Sequence, residues 1–131
     1  MREIALRTER RTQVVDITDR VRAVADGADG AAVLVYVPHT TAGVTINEHA
    51  DPAVARDLER AMERIVGPEW GWEHVEAGEE NAPAHVRAVL AGPQVLVPLR
   101  ERRLALGTWQ GIFFCEFDGP RRRTVYVTPL R

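Results

Sequence analysis

From Gln94 to the C-terminus no window of this chain carries a helical period. The runs QVLVPL (94–99), RLALG (103–107), WQGIFFCEFD (109–118) and RRTVYVTPL (122–130) are short and rich in β-branched and aromatic residues, and RERR and DGPR punctuate them. More than a quarter of the molecule is thereby committed to strands. The DGP signature predicts a tight turn joining the last two runs as an antiparallel hairpin. Near the N-terminus, REIALR (2–7) and TQVVDI (12–17) read as two more strands around the charged turn Thr8–Arg11.

Three stretches interrupt this pattern with helical grammar. TDRVRAVADGADG predicts a short helix, with Val21 and Val24 three apart and Gly27 as its stop. Asp51 followed by Pro52 is a stronger start, because the carboxylate accepts from orphan amides and proline fits the first helical position. That helix is expected to run to about Val66. Val54, Leu58, Ala61, Met62 and Ile65 lie on one face, Arg56, Glu59, Arg60 and Glu63 on the other, and Gly67 and Pro68 end it. NAPAHVRAVLAG repeats the scheme, with Asn81 as cap, Pro83 in the first turn and Gly92 as terminator. Between the first two helices, AAVLVYV (31–37) reads as a central strand buried on both faces, ended by Pro38. The expected architecture is α+β, an antiparallel sheet arranged as two packed sheets with two principal helices, in one domain spanning 1–131.

Composition narrows the function classes. The chain has 131 residues, a formal charge of -2, and arginine as its sole basic residue besides histidine. The absence of lysine removes Schiff-base chemistry and the P-loop lysine, and the charge leaves no excess for a nucleic-acid backbone. The single cysteine, Cys115, excludes an intrachain disulfide and a cysteine zinc cage; within IFFCEF it reads as a buried apolar residue. No signal-peptide block or span of roughly 20 apolar residues is visible, so a cytoplasmic protein without a membrane partner is expected.

The polar residues concentrate after the central strand, in VPHTTAGVTINEH (37–49). His39, His74 and His85 occupy a strand end, an irregular loop and a helix start. Three neutral imidazoles with an open fourth position form a catalytic zinc arrangement, with Glu48 as ligand or base. No HExxH motif is present, so the spacing alone is not diagnostic and favours separate capping or surface histidines. Thr40 and Thr41 either satisfy the turn after the strand or, with amides beside Gly43, cradle an oxyanion. Asn47 and Glu48 divide in the same way between turn chemistry and ligand contact. Gln110, in LGTWQG, is either part of a bulged strand with Trp109 packed inside or a polar pocket wall. In FDGPRRR, alternation places Arg121 and Arg123 on one face, where two guanidiniums can clamp a phosphate or pair with carboxylates across a subunit boundary; a solvated hairpin tip is the plainer alternative.

Taken together, HTTAGVTINE (39–48), Asp51-Pro52 with Asp57, His74, NAPAH (81–85), LGTWQGI (106–112) and EFDGPRRR (116–123) resemble the YjbQ family, small proteins associated with secondary thiamine-phosphate synthase activity. The resemblance covers nearly the whole chain. It departs at RERRLALG (100–107), which lacks the family's usual Asp-Gly turn. It implies a β-sandwich-like α+β fold, a homotrimer, and a site near subunit boundaries. There His39, His74 and His85 would form a metal-capable pocket, zinc being the first choice of divalent metal, with Thr40, Asn47, Glu48, Asn81 and Gln110 as neighbours; no organic cofactor is expected. The implied transferase joins a pyrimidine methyl diphosphate to a thiazole phosphate. Two alternatives stand beside it. One is a metal-dependent hydrolase with Glu48 as base; the other is a trimeric, non-catalytic module holding a small phosphorylated or anionic metabolite.

Overall fold

In the computed structural model, which describes residues 1–75 and 81–131, the strands divide between two sheets. β1 (Arg2–Arg7), β8 (Arg122–Leu130), β3 (Ala32–Tyr36), β5 (Gln94–Arg100) and β6 (Arg103–Leu104) form the larger sheet in that order. β2 (Gln13–Asp16), β7 (Gln110–Glu116) and β4 (Ala42–Glu48) form the smaller one. Every neighbouring pair is antiparallel.

Alternation explains how the layers stack. Val33 and Val35 of β3, Val97 of β5 and Val125 and Val127 of β8 point from the larger sheet into the sandwich, where they meet Val44, Ile112 and Phe114 of the smaller one. β3 is therefore buried on one face only: Tyr36, on the other face, is exposed and stacks on Tyr126. The odd-numbered β7 residues Phe113 and Cys115, with Phe117 beyond them, face away from the larger sheet. They pack under α2 (Pro52–Ile65) and α3 (Ala82–Ala91) through Leu58, Met62, Ala84 and Ala88. α1 (Thr18–Ala25) closes the sandwich with Ile17, Val21 and Ala25. Burial pushes the Cys115 thiol up to about 12, which leaves it a packing residue.

Several local expectations change. The DGP turn joins β7 to β8, but the two strands lie in different sheets, so the connection crosses the sandwich. β1 and β2 are separated by the same kind of crossing, as are β3 and β4. The polar stretch read as turn or ligand chemistry contains a seven-residue strand, β4, paired along its whole length with β7. On α2 the inner face is Ala55, Leu58, Glu59 and Met62, while Ile65 is exposed. Glu59 is tolerated there because its carboxylate accepts from Arg10 at 2.9 and 3.1 Å and from the Val14 amide at 2.8 Å. Asp51 caps α2 by accepting from the Ala53 amide at 2.9 Å. Asn81 makes no such bond at α3; its amide nitrogen donates to Asp118 at 3.2 Å. The β5–β6 hairpin turns through Glu101 and Arg102, both at positive φ, where the resembling family often carries Asp-Gly.

Candidate functional site

The three crossings, Thr8–Thr12, Val37–Thr41 and Phe117–Arg121, meet at one end of the sandwich. Alternation along β7 turns Glu116 inward with Ile112 and Phe114, into an apolar interior where a lone carboxylate is untenable. It is fully buried, and each crossing sends it a partner or braces one. Thr8 Oγ1 donates to it at 2.7 Å, the Asp118 amide at 3.0 Å and Arg123 Nε at 2.8 Å; Arg123 Nη2 bonds its other oxygen and also donates to Thr41 Oγ1 at 2.8 Å. Burial by itself pushes the Glu116 carboxyl up, but Arg123, Thr8 and the Asp118 amide outweigh it and hold the group below the ordinary carboxylate range. The expected pair of guanidiniums on one face does not form. Arg123 is buried against Glu116 of its own chain, and Arg121 closes the turn by donating to the Asp118 carbonyl and carboxylate at 2.8 and 2.9 Å.

His39 belongs to the same end. β3 stops at Tyr36, which leaves the Thr124 amide of β8 without a ladder partner, and His39 Nε2 accepts from it at 3.0 Å. A neutral imidazole has one lone pair, and here it is engaged. Burial first, and then the Arg123 charge, lowers the His39 pKa, so the neutral ring is favoured. Thr40 is exposed beside it, and Thr41 is the buried acceptor for Arg123. Gly43 does not cradle an anion: a Cβ there would lie 2.6 Å from the Gly92 carbonyl oxygen, so it lets α3 approach β4.

Glu48 and Gln110 lie at the opposite end of the smaller sheet. They pair across β4 and β7 at one end of the ladder, Ala42 and Glu116 at the other. At roughly 3.3 Å per residue the two ends are about 20 Å apart. Asn47 is exposed and its Oδ1 accepts from the Glu48 amide; Gln110 accepts from the Gly107 amide at 2.9 Å, and Trp109 is 64% exposed rather than packed inside. His49, just beyond them, bonds Asp16 at 2.9 Å.

His74 and His85 do come together. Their rings meet edge to face with centroids 5.1 Å apart, at the start of α3. Beside them Trp70 and Trp72 stack at 5.6 Å, and Trp72 is fixed by donating to the Gly67 carbonyl at 3.0 Å. These four residues, with Gly71, Glu73, Ala82 and Val86, line an open cavity of about 590 Å3. The Trp-rich connection is thus a wall from Trp70 to His74; residues 76–80 lie outside the described part. A second cavity, of about 430 Å3, sits on the other side of α3's first turn, lined by Arg11, Thr12, Glu63, Asn81 and Arg87 among others.

One chain therefore gathers His74 with His85, and groups His39, Thr41, Arg121 and Arg123 around Glu116. It holds Glu48, Asn47 and Gln110 apart from both. Among the described residues no three His, Cys, Asp or Glu side chains are disposed to hold a metal. A zinc ion needs three or four ligands, so the described residues of one chain do not by themselves make up that centre. Glu116 and Arg87 were missed as key residues. A glutamate inside IFFCEF was the available signal, whereas nothing local distinguishes Arg87.

Comparison with known proteins gives a consistent picture. The family model described as "UPF0047 protein YjbQ-like" matches residues 2–131. The UPF0047 protein YugU of Bacillus subtilis is 43% identical, with 97% of this chain and 96% of that protein aligned. MJ1081 of Methanocaldococcus jannaschii is 44% identical over 93% of this chain and 88% of its own. Among solved structures, an uncharacterised conserved protein of Clostridium acetobutylicum superposes with a TM-score of 0.91 at 42% identity, covering 98% of each chain. A protein of unknown function from Sulfolobus solfataricus gives 0.89 at 35% identity, covering 96% of this chain and 92% of its own.

Proposed function

Because the chain belongs to the YjbQ-like UPF0047 family, we propose that it is a transferase of the thiamine-phosphate synthase type, acting at the His74–His85 shelf. The observation that carries this reading is the pairing of two imidazoles with a stacked tryptophan wall around one open cavity. Planar heteroaromatic rings stack on indole faces, and both substrates of this reaction, a pyrimidine methyl diphosphate and a thiazole phosphate, present such rings. The thiazole nitrogen attacks the methylene carbon, the carbon–oxygen bond to the diphosphate breaks, and pyrophosphate leaves with the electron pair. His85, at the positive end of α3, and His74 beside it would donate to the departing oxygens, while Trp70 and Trp72 hold the rings in line.

The reading includes a homotrimer. Tyr36, Leu96 and Leu130 leave apolar surface uncovered on the larger sheet, as do Val89 and Leu90 on α3. A zinc site, in this proposal, would take His74 and His85 together with side chains contributed across a subunit boundary.

The test mixes purified protein with both phosphorylated substrates, with and without added zinc, and follows thiamine phosphate and pyrophosphate in equal amounts. Turnover that falls about 100-fold or more in His85→Ala supports the proposal. Absence of product in a protein that light scattering places at three times the 14.6 kDa chain mass overturns it.

A further inference from the structure

The cavity lined by Arg11, Thr12, Glu63, Asn81 and Arg87 is chemically distinct from the histidine shelf. On α3 it touches Pro83, Ala84 and Arg87, whereas the shelf touches Ala82, His85 and Val86, the opposite face of the helix. Two of its lining side chains carry buried polar atoms that no described residue satisfies: Thr12 Oγ1 and Asn81 Oδ1. Thr12 is only 4% exposed. Native proteins rarely leave such atoms unpaired, and two of them on one cavity of about 430 Å3 mark a place where a ligand supplies the missing partners.

The charges around the cavity state what kind of ligand. Arg87 is buried, and its Nε and Nη2 donate to the Met62 and Val66 carbonyls at 3.1 and 2.7 Å, closing the C-terminal end of α2. Its charge has no carboxylate within ion-pair distance among the described residues, and its Nη1 donates to none of them. Burial, and the nearby Arg11 charge, lower the Arg87 pKa, while Glu63 opposes them. Among the described residues Arg11 has only a loose contact of 3.7 Å with Asp118. Arg11, Arg87 and the Thr12 hydroxyl thus offer donors to an anionic oxygen group. Glu63 and Asn81 Oδ1 offer acceptors, which would repel a bare anion and require a donor on the same ligand. The start of α3 adds little, since Pro83 has no amide hydrogen and the Ala84 and His85 amides already bond the Asn81 carbonyl.

We infer that this cavity binds a small molecule carrying an anionic oxygen group at one end and a hydroxyl or ammonium donor at the other. The inference is independent of the transferase reading, because it concerns a different cavity and its readout is binding. Calorimetric titration at pH 8 uses four probes in two matched pairs, acetate against glycine and methyl phosphate against glycerol phosphate. The donor-bearing member of at least one pair binds, about fivefold or more tighter than its partner. Thr12→Val and Arg11→Gln each weaken that probe about tenfold or more. Because the Thr12 hydroxyl has no partner among the described residues, Thr12→Val unfolds in urea no earlier than the wild type, which separates lost binding from lost folding. Binding of no probe, donor-free probes binding as tightly as donor-bearing ones, or affinity unchanged in both variants would each overturn the assignment.

Discussion

Glu116→Gln is the sharpest test of the idea that one buried carboxylate ties the three inter-sheet crossings. The substitution keeps the shape and one acceptor oxygen but removes the charge, leaving Arg123 a buried cation in the sandwich. Removing one partner of a buried pair costs about 3–5 kcal/mol. Here the Thr8 hydroxyl and the Asp118 amide also lose an anionic acceptor, and hydrogen bonds to charged groups contribute about 1.5–3 kcal/mol against about 1 for neutral ones. Thr8 keeps a weaker alternative, the Arg121 carbonyl at 3.2 Å. The expected loss is therefore in the upper half of that range, about 4–5 kcal/mol, a large share of the roughly 5–15 kcal/mol typical of a domain. Urea denaturation at one fixed protein concentration measures it as a lowered midpoint with unchanged slope. In Glu116→Gln/Arg123→Met the stranded charge is gone, so a double-mutant cycle gives a coupling of at least about 2 kcal/mol. A Glu116→Gln protein within about 1 kcal/mol of wild type would refute the reasoning, because an isolated buried arginine cannot be that cheap.

Two further outcomes follow from the same geometry. His39→Ala orphans the Thr124 amide and costs about 1–2 kcal/mol by the same denaturation assay. Because the folded His39 pKa is lowered, its stabilisation is complete above the unfolded value near 6.5 and fades as pH falls toward the folded one; that of Glu116 is complete above about 4.3 and fades at still lower pH. Stability followed from pH 7 downward should thus decline in two stages, and His39→Ala should lack the first. Gly43→Ala pushes a methyl to within 2.6 Å of the Gly92 carbonyl oxygen and 2.9 Å of Ala91 Cβ, so α3 must shift away from β4 at a cost of about 1–3 kcal/mol, read as a lower melting temperature.

The sequence made elements legible wherever a period was carried by apolar residues. β1, β5, β8 and the three helices fall where the pattern placed them, because Val, Ile and Leu spacing is a local signal. β4 escaped for the opposite reason: in AGVTINE only Val44 and Ile46 alternate with small or polar residues, and the density of hydroxyl and amide groups reads as loop chemistry. The sheet assignment was out of local reach too. DGP fixes a tight reversal, but whether the next strand pairs with the last or crosses to the other sheet depends on which partners the rest of the chain supplies; β8 finds β1 and β3, and β7 finds β2 and β4.

For the candidate site the same distinction decides what each polar residue does. His74 and His85 lie close in sequence to one helix start, and they meet. His39 lies in the crossing that enters β4, Glu48 and Gln110 at the far end of the β4–β7 ladder, and strand geometry alone holds the two ends of that ladder about 20 Å apart within a chain. The crossing end holds buried, fully partnered groups, Glu116, Arg123, Thr8 and Thr41, whose hydrogen-bonding capacity is spent on joining the sheets. The unpartnered capacity sits on either side of α3, as exposed rings on one face and orphaned oxygens on the other. Chemistry needs groups with capacity to spare. The two faces of α3's N-terminal half, rather than the polar run after the central strand, are therefore where the proposed ligands belong.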